Sequence, residues 1–457
     1  MSLKLAIVGA GPAGCMLARL LLHQLQPDHL SKTATSSSDV QPIEVTIFEG
    51  EPSIDFRSQG GTLDLHTNTG VLALQKAGLY EQFEAHARYD GEYMFWGDKD
   101  LRAYVKLTGE TGRPEIDRAD LRRILVESLP ENLIQWRKKL VDMKRKEAEK
   151  GANQWELEFA DGTTASGFDL VVGADGAWSK VRFLTLSEQM PYFSGVGGYN
   201  FIIPDAKRTA PDAYELVNRG SCFCFHGGDK PHSGRGLMSQ QLANGDITVS
   251  AYSARWEDWE KHADYDVNDG AAVKKFVIEE QFSDWHPRLL DQVRKSDDNN
   301  VTSRPLYMLP VGFTWPHQKG VTILGDAAHL MTPFAGEGVN LAFEDAMHLC
   351  DAIKQTIEIL KQGEEKSSVE EILDQNVVVF EKDMNQRATL TQTLTFEQTT
   401  DLYLTPGAPG SIVERFVLRN MKFPLRGGKR VIYYLFSPVT SALVYTGYCV
   451  YKKFFLK

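Results

Sequence analysis

Leu3-Lys4-Leu5-Ala6-Ile7-Val8-Gly9-Ala10-Gly11-Pro12-Ala13-Gly14 is the stretch on which the fold of this chain turns. Its first half is a nearly unbroken apolar run of strand length. Its second half places glycines at 9, 11 and 14 directly after that run, and residues 13–24 continue with Leu and Ala at helical spacing. The segment therefore reads as strand, glycine turn and helix. Gly9 permits the tight turn, Gly11 lets the backbone approach a pyrophosphate, and Gly14 lets helix and strand pack closely, while the helix N-terminus faces the phosphate charge. Because the strand starts at once, no secretory signal is expected ahead of it.

Working outward, the Ser/Thr-rich residues 27–42 read as a surface loop. Ile43-Glu44-Val45-Thr46-Ile47-Phe48-Glu49 then reads as a second buried strand, which completes a βαβ unit with a lengthened crossover. Glu49, at its end, is placed to accept hydrogen bonds from ribose hydroxyls. A glycine loop alone is shared by NAD sites, FAD sites and plain turns. Strand, helix and terminal acid together make it a dinucleotide site.

Composition bounds the rest. With 457 residues, 42% of them hydrophobic, the chain can build two or three packed units. A net charge of −11 repels phosphate backbones, and the first 400 residues hold no basic run interleaved with aromatics, so nucleic acid is not an expected partner. Five cysteines without a CxxC pair suggest neither a metal site nor a disulfide framework, which fits a reducing, cytoplasmic setting. Cys222 and Cys224, two apart, read as neighbours on one strand face ahead of a redox dithiol.

Further along, residues 118–129 read as a helix, 155–162 as a hairpin, and 168–172 and 321–324 as buried strands. Residues from about 190 to 300 alternate like strands, as in 245–252, and then turn helical; they read as a second domain inserted into the first. Residues 338–362 and 369–400 read as helices. From Arg415 onward there are nine Lys/Arg and no Asp/Glu, and residues 431–451 are uncharged between Lys429-Arg430 and Lys452-Lys453. Pro438, Gly447 and five tyrosines keep the hydropathy of that tail modest. A helix packed on the protein body ranks first, a peripheral membrane anchor second and a span third.

Three more motifs decide between FAD and NAD. Asp169-Leu170-Val171-Val172-Gly173-Ala174-Asp175-Gly176 puts a strand, a turn and the acid Asp175 where backbone can approach a ligand. Ile323-Leu324-Gly325-Asp326-Ala327-Ala328-His329 ends a strand in Asp326, suited to a ribityl hydroxyl. Pro333-Phe334-Ala335-Gly336-Glu337-Gly338-Val339-Asn340 is a glycine turn opening a helix, whose amides can stabilise negative charge on a reduced isoalloxazine.

In order and wording these motifs resemble the class A flavin monooxygenases, the aromatic-acid hydroxylase family. Within it, residues 57–66, 115–122 and 325–336 are similar to the tetracycline-inactivating monooxygenases, and the likeness spans most of residues 1–355. The resemblance implies an α/β fold: a Rossmann-like FAD-binding domain of the glutathione-reductase type (residues 1–83, 107–187 and 300–366), an inserted β-sheet substrate domain (84–106 and 188–299) and a C-terminal helical segment (367–457). It implies that Gly9, Gly11, Gly14, Glu49, Arg57, Asp64, Arg118, Asp175, Asp326, Gly336, Gly338, Val339 and Asn340 hold cofactor. Arg57 would also meet the nicotinamide cofactor, and together with Pro333 and Gly336 it would take part in the chemistry. Asn200, Ile202, Phe334, Ala335 and Gly336 would touch substrate. In Asn200-Phe201-Ile202, Ile202 stands where the tetracycline-binding members carry a glutamine, and Arg219, followed by Gly220-Ser221-Cys222-Phe223, is not a secure match for their arginine contact.

The activity implied is that of a monomeric FAD enzyme. It would use NADPH or NADH and O2 to hydroxylate a small aromatic, phenolic or polyketide, tetracycline-like substrate through a flavin C4a-hydroperoxide. His66 and His329 read as structural. A halogenase is set aside because its Trp-x-Trp-x-Ile-Pro signature is absent and Trp256 and Trp259 are wrongly spaced. A flavin reductase or dehydrogenase of an isoprenoid or lipid, and a non-catalytic flavin-binding protein, are the competing readings.

Overall fold

The computed structural model describes residues 2–27, 43–56, 60–89, 93–107, 112–147, 153–362, 368–423 and 437–455, and the chain divides into two compact units. Most of the loop expected at 27–42 lies outside the described residues.

The first unit comprises Met1–Ala87, Ile116–Tyr192 and Tyr307–Gln392. At its heart is a five-stranded parallel sheet in the order Val321–Ile323, Leu170–Gly173, Leu3–Val8, Ile43–Phe48, Ile134–Gln135. Leu3–Val8 is central, paired with Leu170–Gly173 on one side and Ile43–Phe48 on the other. Layers on both faces bury it, which is why its sequence is an apolar run and not an alternation. The helix Pro12–Leu25 leaves the strand at once, and the long helix Gly338–Gln362 packs against it. A smaller antiparallel sheet, Leu140–Glu147, Asn153–Phe159 and Thr164–Ala165, completes the unit and contains the expected hairpin.

The second unit comprises Arg88–Glu115, Phe193–Leu306 and Thr393–Lys457. Its seven-stranded sheet runs Thr302–Met308, Tyr192–Ile203, Ile247–Ala254, Arg235–Gln241, Ser221–His226, Met94–Asp98, Ala103–Leu107. Register sorts its two faces. Phe201, Val249, Ser239, Cys222 and Phe95 form one row across the sheet and lie buried, with Leu289 and Val293 of the helix Pro287–Arg294 in the same core. Asn200, Ser250, Met238, Phe223 and Trp96 form the row one residue over, on the other face. Cys222 and Cys224 both point into the core with sulfurs 4.0 Å apart, and burial raises the Cys224 thiol well above its usual range, so the pair is packing.

The helix Val413–Lys422 stacks Phe416 on Trp96 at 4.9 Å. The helix Ser437–Phe455 is fastened by Tyr451, whose hydroxyl accepts from the Lys106 N–H and donates to the Lys106 carbonyl, both at 3.0 Å. Lys106 belongs to the edge strand Ala103–Leu107, so this hydroxyl covers a backbone pair that a sheet edge otherwise exposes. The tail is thus a helix packed on protein, as its modest hydropathy suggested. Among the described residues no helix is long and apolar enough to cross a membrane.

The tightest packing follows the first strand. A Cβ at Gly14 would lie 2.1 Å from the carbonyl oxygen of Gly9. No side chain gives way there, because the obstacle is backbone. We expect Gly14→Ala to lower the unfolding free energy by about 1–3 kcal/mol, the usual cost of overpacking, as read by urea denaturation.

Candidate functional site

The turn after the first strand is built for a tight exit. Gly9 has φ of 109°, and a Cβ there would meet the Ala174 carbonyl oxygen at 2.4 Å, so the turn runs directly over the end of the neighbouring strand. Gly11 then caps the helix Pro12–Leu25 with no side-chain hydrogen bond, and the first turn has no acidic residue. A Cβ at Gly11 would have nothing within 4 Å. The helix therefore presents bare amides and the positive end of its dipole to open space, which is what an anion such as a pyrophosphate needs.

Glu49 is fixed beside this turn. Its carboxylate accepts from the Ala10 N–H at 2.7 Å and the Glu51 N–H at 2.9 Å. Glu51 in turn holds Arg122 through a buried ion pair of 2.6 Å. Arg122 keeps two buried donors, Nε and Nη1, that meet no acceptor among the described residues. The sequence reading gave Arg122 no role. Its signal was a charged residue at a buried position of an otherwise amphipathic helix, Arg118–Glu127.

The second sequence motif converges on the first. Gly325 lies between the two long helices: a Cβ on it would be 3.2 Å from Ala13 and 3.4 Å from Ala342. Asp326 follows, exposed to solvent yet deep within the mass of the protein. Its carboxyl is pushed up by loss of hydration, opposed by the charges of His329 and Arg118. Arg118 donates its backbone N–H to Gly61 at 3.0 Å and is itself exposed. Asp326 and Arg118 thus lie within electrostatic reach of one another.

The third motif closes the group. A Cβ on Gly336 would approach Asp64 Oδ1 at 3.2 Å. Asn340 joins the same two segments: its Oδ1 accepts from the His66 N–H at 2.9 Å, and its Nδ2 donates to the Asp64 carbonyl at 3.0 Å. Gly338 opens the helix Gly338–Gln362, where the first turn carries no acid and a Cβ would meet nothing within 4 Å. Pro333, Phe334 and Ala335 form the short turn before that helix, with Pro333 and Gly336 exposed.

Asp175 is the exception among the expected contacts. Its oxygens are engaged by the Ser179 hydroxyl at 2.5 Å and the N–H groups of Lys180 and Val181 at 2.7 and 3.2 Å. It shapes its own turn, and any approach to a ligand there falls to the backbone at Gly176, where a Cβ would meet nothing within 4 Å. Arg57 lies outside the described residues. Asn200 and Ile202 share the sheet face of the second unit opposite the core row of Phe201 and Val249, apart from the first-unit groups in sequence and in unit.

Beneath the Gly325 turn is a buried ion network the sequence did not disclose. Asp345 accepts from His329 Nε2 at 2.6 Å, from the Gly325 N–H at 3.1 Å and from Arg387 Nη1 at 2.9 Å. Burial would raise the Asp345 carboxyl, but the charges and hydrogen bonds of His329 and Arg387 bring it below the ordinary range. The only hint in the sequence is an acid amid Leu341, Ala342, Phe343 and Ala346 on one helix. His329 is structural, as expected.

Gly9 and Gly14, where a Cβ would run into backbone, the uncapped N-terminus of the helix Pro12–Leu25 and the Arg118/Asp326 pair fit a flavin dinucleotide. The FAD binding domain family matches residues 2–266 and 313–400. Monooxygenase asqM of Emericella nidulans is 31% identical over 392 residues, spanning 77% of this chain and 84% of that protein. The 6-methylsalicylate 1-monooxygenase atA of Aspergillus terreus is 28% identical over 379 residues, spanning 76% and 73%. Among solved structures, tetracycline destructase Tet(55) shares the fold with a TM-score of 0.62 at 16% identity, over 92% of this chain and 95% of its own.

Two substitutions separate binding from folding. Gly11→Ala adds a methyl group that touches no protein atom, so urea denaturation of the cofactor-free protein should change by no more than ~0.5 kcal/mol, while flavin retention falls. Asp326→Asn should leave cofactor-free melting where it was, because the side chain is solvated. Its FAD dissociation constant, read by fluorescence titration, should rise roughly 10- to 100-fold, the scale of a lost charged hydrogen bond.

Proposed function

Because this chain belongs to the FAD binding domain family and is an FAD-dependent monooxygenase, we propose that it uses NADPH or NADH and O2 to hydroxylate a small electron-rich aromatic, phenolic or polyketide molecule. The uncapped N-terminus of the helix Pro12–Leu25, the Gly325–Asp326 turn beside Ala13, Asp64 beside Gly336 and Arg118 within electrostatic reach of Asp326 support this reading. FAD, when bound, supplies the redox chemistry and the activation of oxygen.

The chain's own residues bind and orient. The amides beyond Gly11 take the pyrophosphate, with Gly9 and Gly14 holding the turn open, and Glu49 takes ribose hydroxyls. Arg118, Asp64 and Asp326 hold the central portion of the cofactor, and Asp175 contributes by shaping its turn. The amides of Gly336, Gly338 and Val339 stabilise negative charge on the reduced ring system, and Asn340 keeps that turn in register with Asp64. Arg57, Pro333 and Gly336 are the residues assigned to the nicotinamide encounter and the reaction. No charged triad is required. The groups assigned to the flavin lie in one unit of one chain, so a monomer suffices.

Within the second unit, substrate recognition is assigned to the sheet face that carries Asn200 and Ile202; within the first, Phe334, Ala335 and Gly336 are the residues assigned to substrate. Asn200 Oδ1 accepts from the Ser250 hydroxyl at 2.9 Å and the Tyr252 hydroxyl at 2.7 Å. The shorter distance suits O–H···O better than N–H···O, which fixes the amide orientation and leaves Nδ2 as the outward donor. That donor suits a phenolic or carbonyl oxygen, and Ile202, Met238 and Phe223 on the same face suit an apolar ring.

The test is a panel of phenolic polyketides and tetracyclines given to the FAD-loaded protein with NADPH under labelled O2. A substrate should speed NADPH consumption and gain one labelled oxygen atom. If NADPH bleaches the flavin, yet every panel member yields only hydrogen peroxide, the substrate class is wrong. With a working substrate, Asn200→Ala should raise KM about 3- to 10-fold, the worth of one hydrogen bond.

A further inference from the structure

Resting on the assignment of substrate to the sheet face that carries Asn200, we infer that this face takes an uncharged ring compound, a phenol, ketone, ester or lactam, and discriminates against aromatic carboxylates. Register fixes the two rows concerned. Asn200, Ser250, Met238 and Phe223 form one, and Ile202, Thr248, Gln240 and Ser221 form the next. All but Ser221 are half-buried, so a ligand on them gives up much of its hydration. Every polar side chain in the two rows is a hydroxyl or a carboxamide.

The two carboxamides are set for neutral partners. The Ser250 and Tyr252 hydroxyls both donate to Asn200 Oδ1, which leaves Nδ2 as the donor for a ligand oxygen. Gln240 Nε2 donates to the Ser221 hydroxyl at 3.3 Å, and its Oε1 has no partner among the described residues. One carboxamide N–H is a full match for a carbonyl, ester or phenol oxygen. It is a poor substitute for the water around a carboxylate, which needs a positive charge or several donors. The Gln240 oxygen, an acceptor, suits a ligand N–H or O–H and opposes an anion.

The basic side chains along these strands serve the other face. Arg235 pairs with Ser253, in a row that alternates with the Asn200 row, and its Nη1 donates to Asp284 at 2.6 Å. Arg255, just past the same strand, lies 4.0 Å over the Trp259 ring and donates to Gln281 Oε1 at 2.8 Å. Lys106 lies over the ring of Phe95, a core residue. Toward Gly236 the Asn200 face ends in a neutral wall. A Cβ there would meet the Tyr403 hydroxyl at 2.6 Å, Phe225 stands edge-on to the Tyr403 ring at 5.8 Å, and burial raises the Tyr403 phenol well above its ordinary range. An uncharged ligand therefore loses nothing against this surface that the surface does not return, whereas a carboxylate does.

The experiment titrates matched pairs, methyl salicylate against salicylate and methyl 2-naphthoate against 2-naphthoate, into the FAD-loaded full-length chain by calorimetry without NADPH. Each ester should bind at least about tenfold more tightly than its acid. Asn200→Ala should weaken the esters about 3- to 10-fold. Met238→Lys, which sets an ammonium in the Asn200 row, should raise the affinity for the acids and not for the esters. The wild-type pairs and Asn200→Ala keep the inference testable if the lysine variant fails to fold. Acids that bind as tightly as their esters would overturn it, whether their hold is lost in Arg219→Gln, in Arg304→Gln or in neither. So would the failure of both esters to bind. Ester binding that ignores Asn200→Ala would overturn the assignment of the face itself, and the inference with it. Because calorimetry needs no turnover, the expected pattern without oxygen incorporation would remove the hydroxylation reading and leave this one in place.

Discussion

The structure of the first unit depends on how closely backbone can approach backbone at the carboxyl end of one buried strand. Gly9 passes over the Ala174 carbonyl, Gly14 lies against Gly9, and Gly325 sits between Ala13 and Ala342. These contacts draw the N-termini of the helices Pro12–Leu25 and Gly338–Gln362 toward the same ends of parallel strands. The same absence of side chains that permits the packing leaves helix amides uncovered. A Cβ at Gly14 would run into the Gly9 carbonyl and one at Gly325 would press on Ala13, so a larger residue at either would disturb this packing.

What ties the helix Gly338–Gln362 to the helix Val369–Thr399, which carries Arg387, is electrostatic. Asp345 is completely buried, and a lone carboxylate there would be costly. His329, Arg387 and the Gly325 amide balance it, so that strand end, the turn at Asp326 and two long helices share one network. Removing one member of such a network strands the others, which commonly costs 3–5 kcal/mol, whereas its net contribution when complete is small. The network is therefore better understood as fixing position than as adding stability. It keeps Asp326 at one place and orientation while leaving its carboxyl open to solvent.

Sequence reasoning read this unit well where backbone geometry dictates residue type. The buried parallel strands required apolar runs, the turns required glycine, and both are visible in the bare sequence. It read poorly where side chains are half in water. Leu140–Glu147 was missed because only Leu140 and Met143 of its described side chains are buried, its register shifts between Leu140 and Asp142, and apart from the exposed Val141 the rest is charged. Ile134–Gln135 was missed because two residues carry no period. The Asp345–Arg387 contact joins residues on different helices, and the Glu51–Arg122 pair spans 71 positions. Neither separation leaves a local pattern. Asp175 was identified as an acid near a turn, but which of its possible partners it bonds was a question of geometry, and its own turn took the carboxylate.

The same distinction between residues dictated by backbone and residues left to side-chain choice holds in the second unit's sheet. In the second unit the core row of Phe201, Val249 and Cys222 is needed for packing, while the opposite row of Asn200, Ser250, Met238 and Phe223 is held by the same strands at no cost to that core. Strand alternation thus separates residues the fold requires from residues free to change with the substrate. Ser250 and Tyr252 are the sign that one of the latter has been fixed, since two hydroxyls spent on a single carboxamide oxygen serve no purpose in the core and immobilise Asn200 for whatever its remaining donor meets.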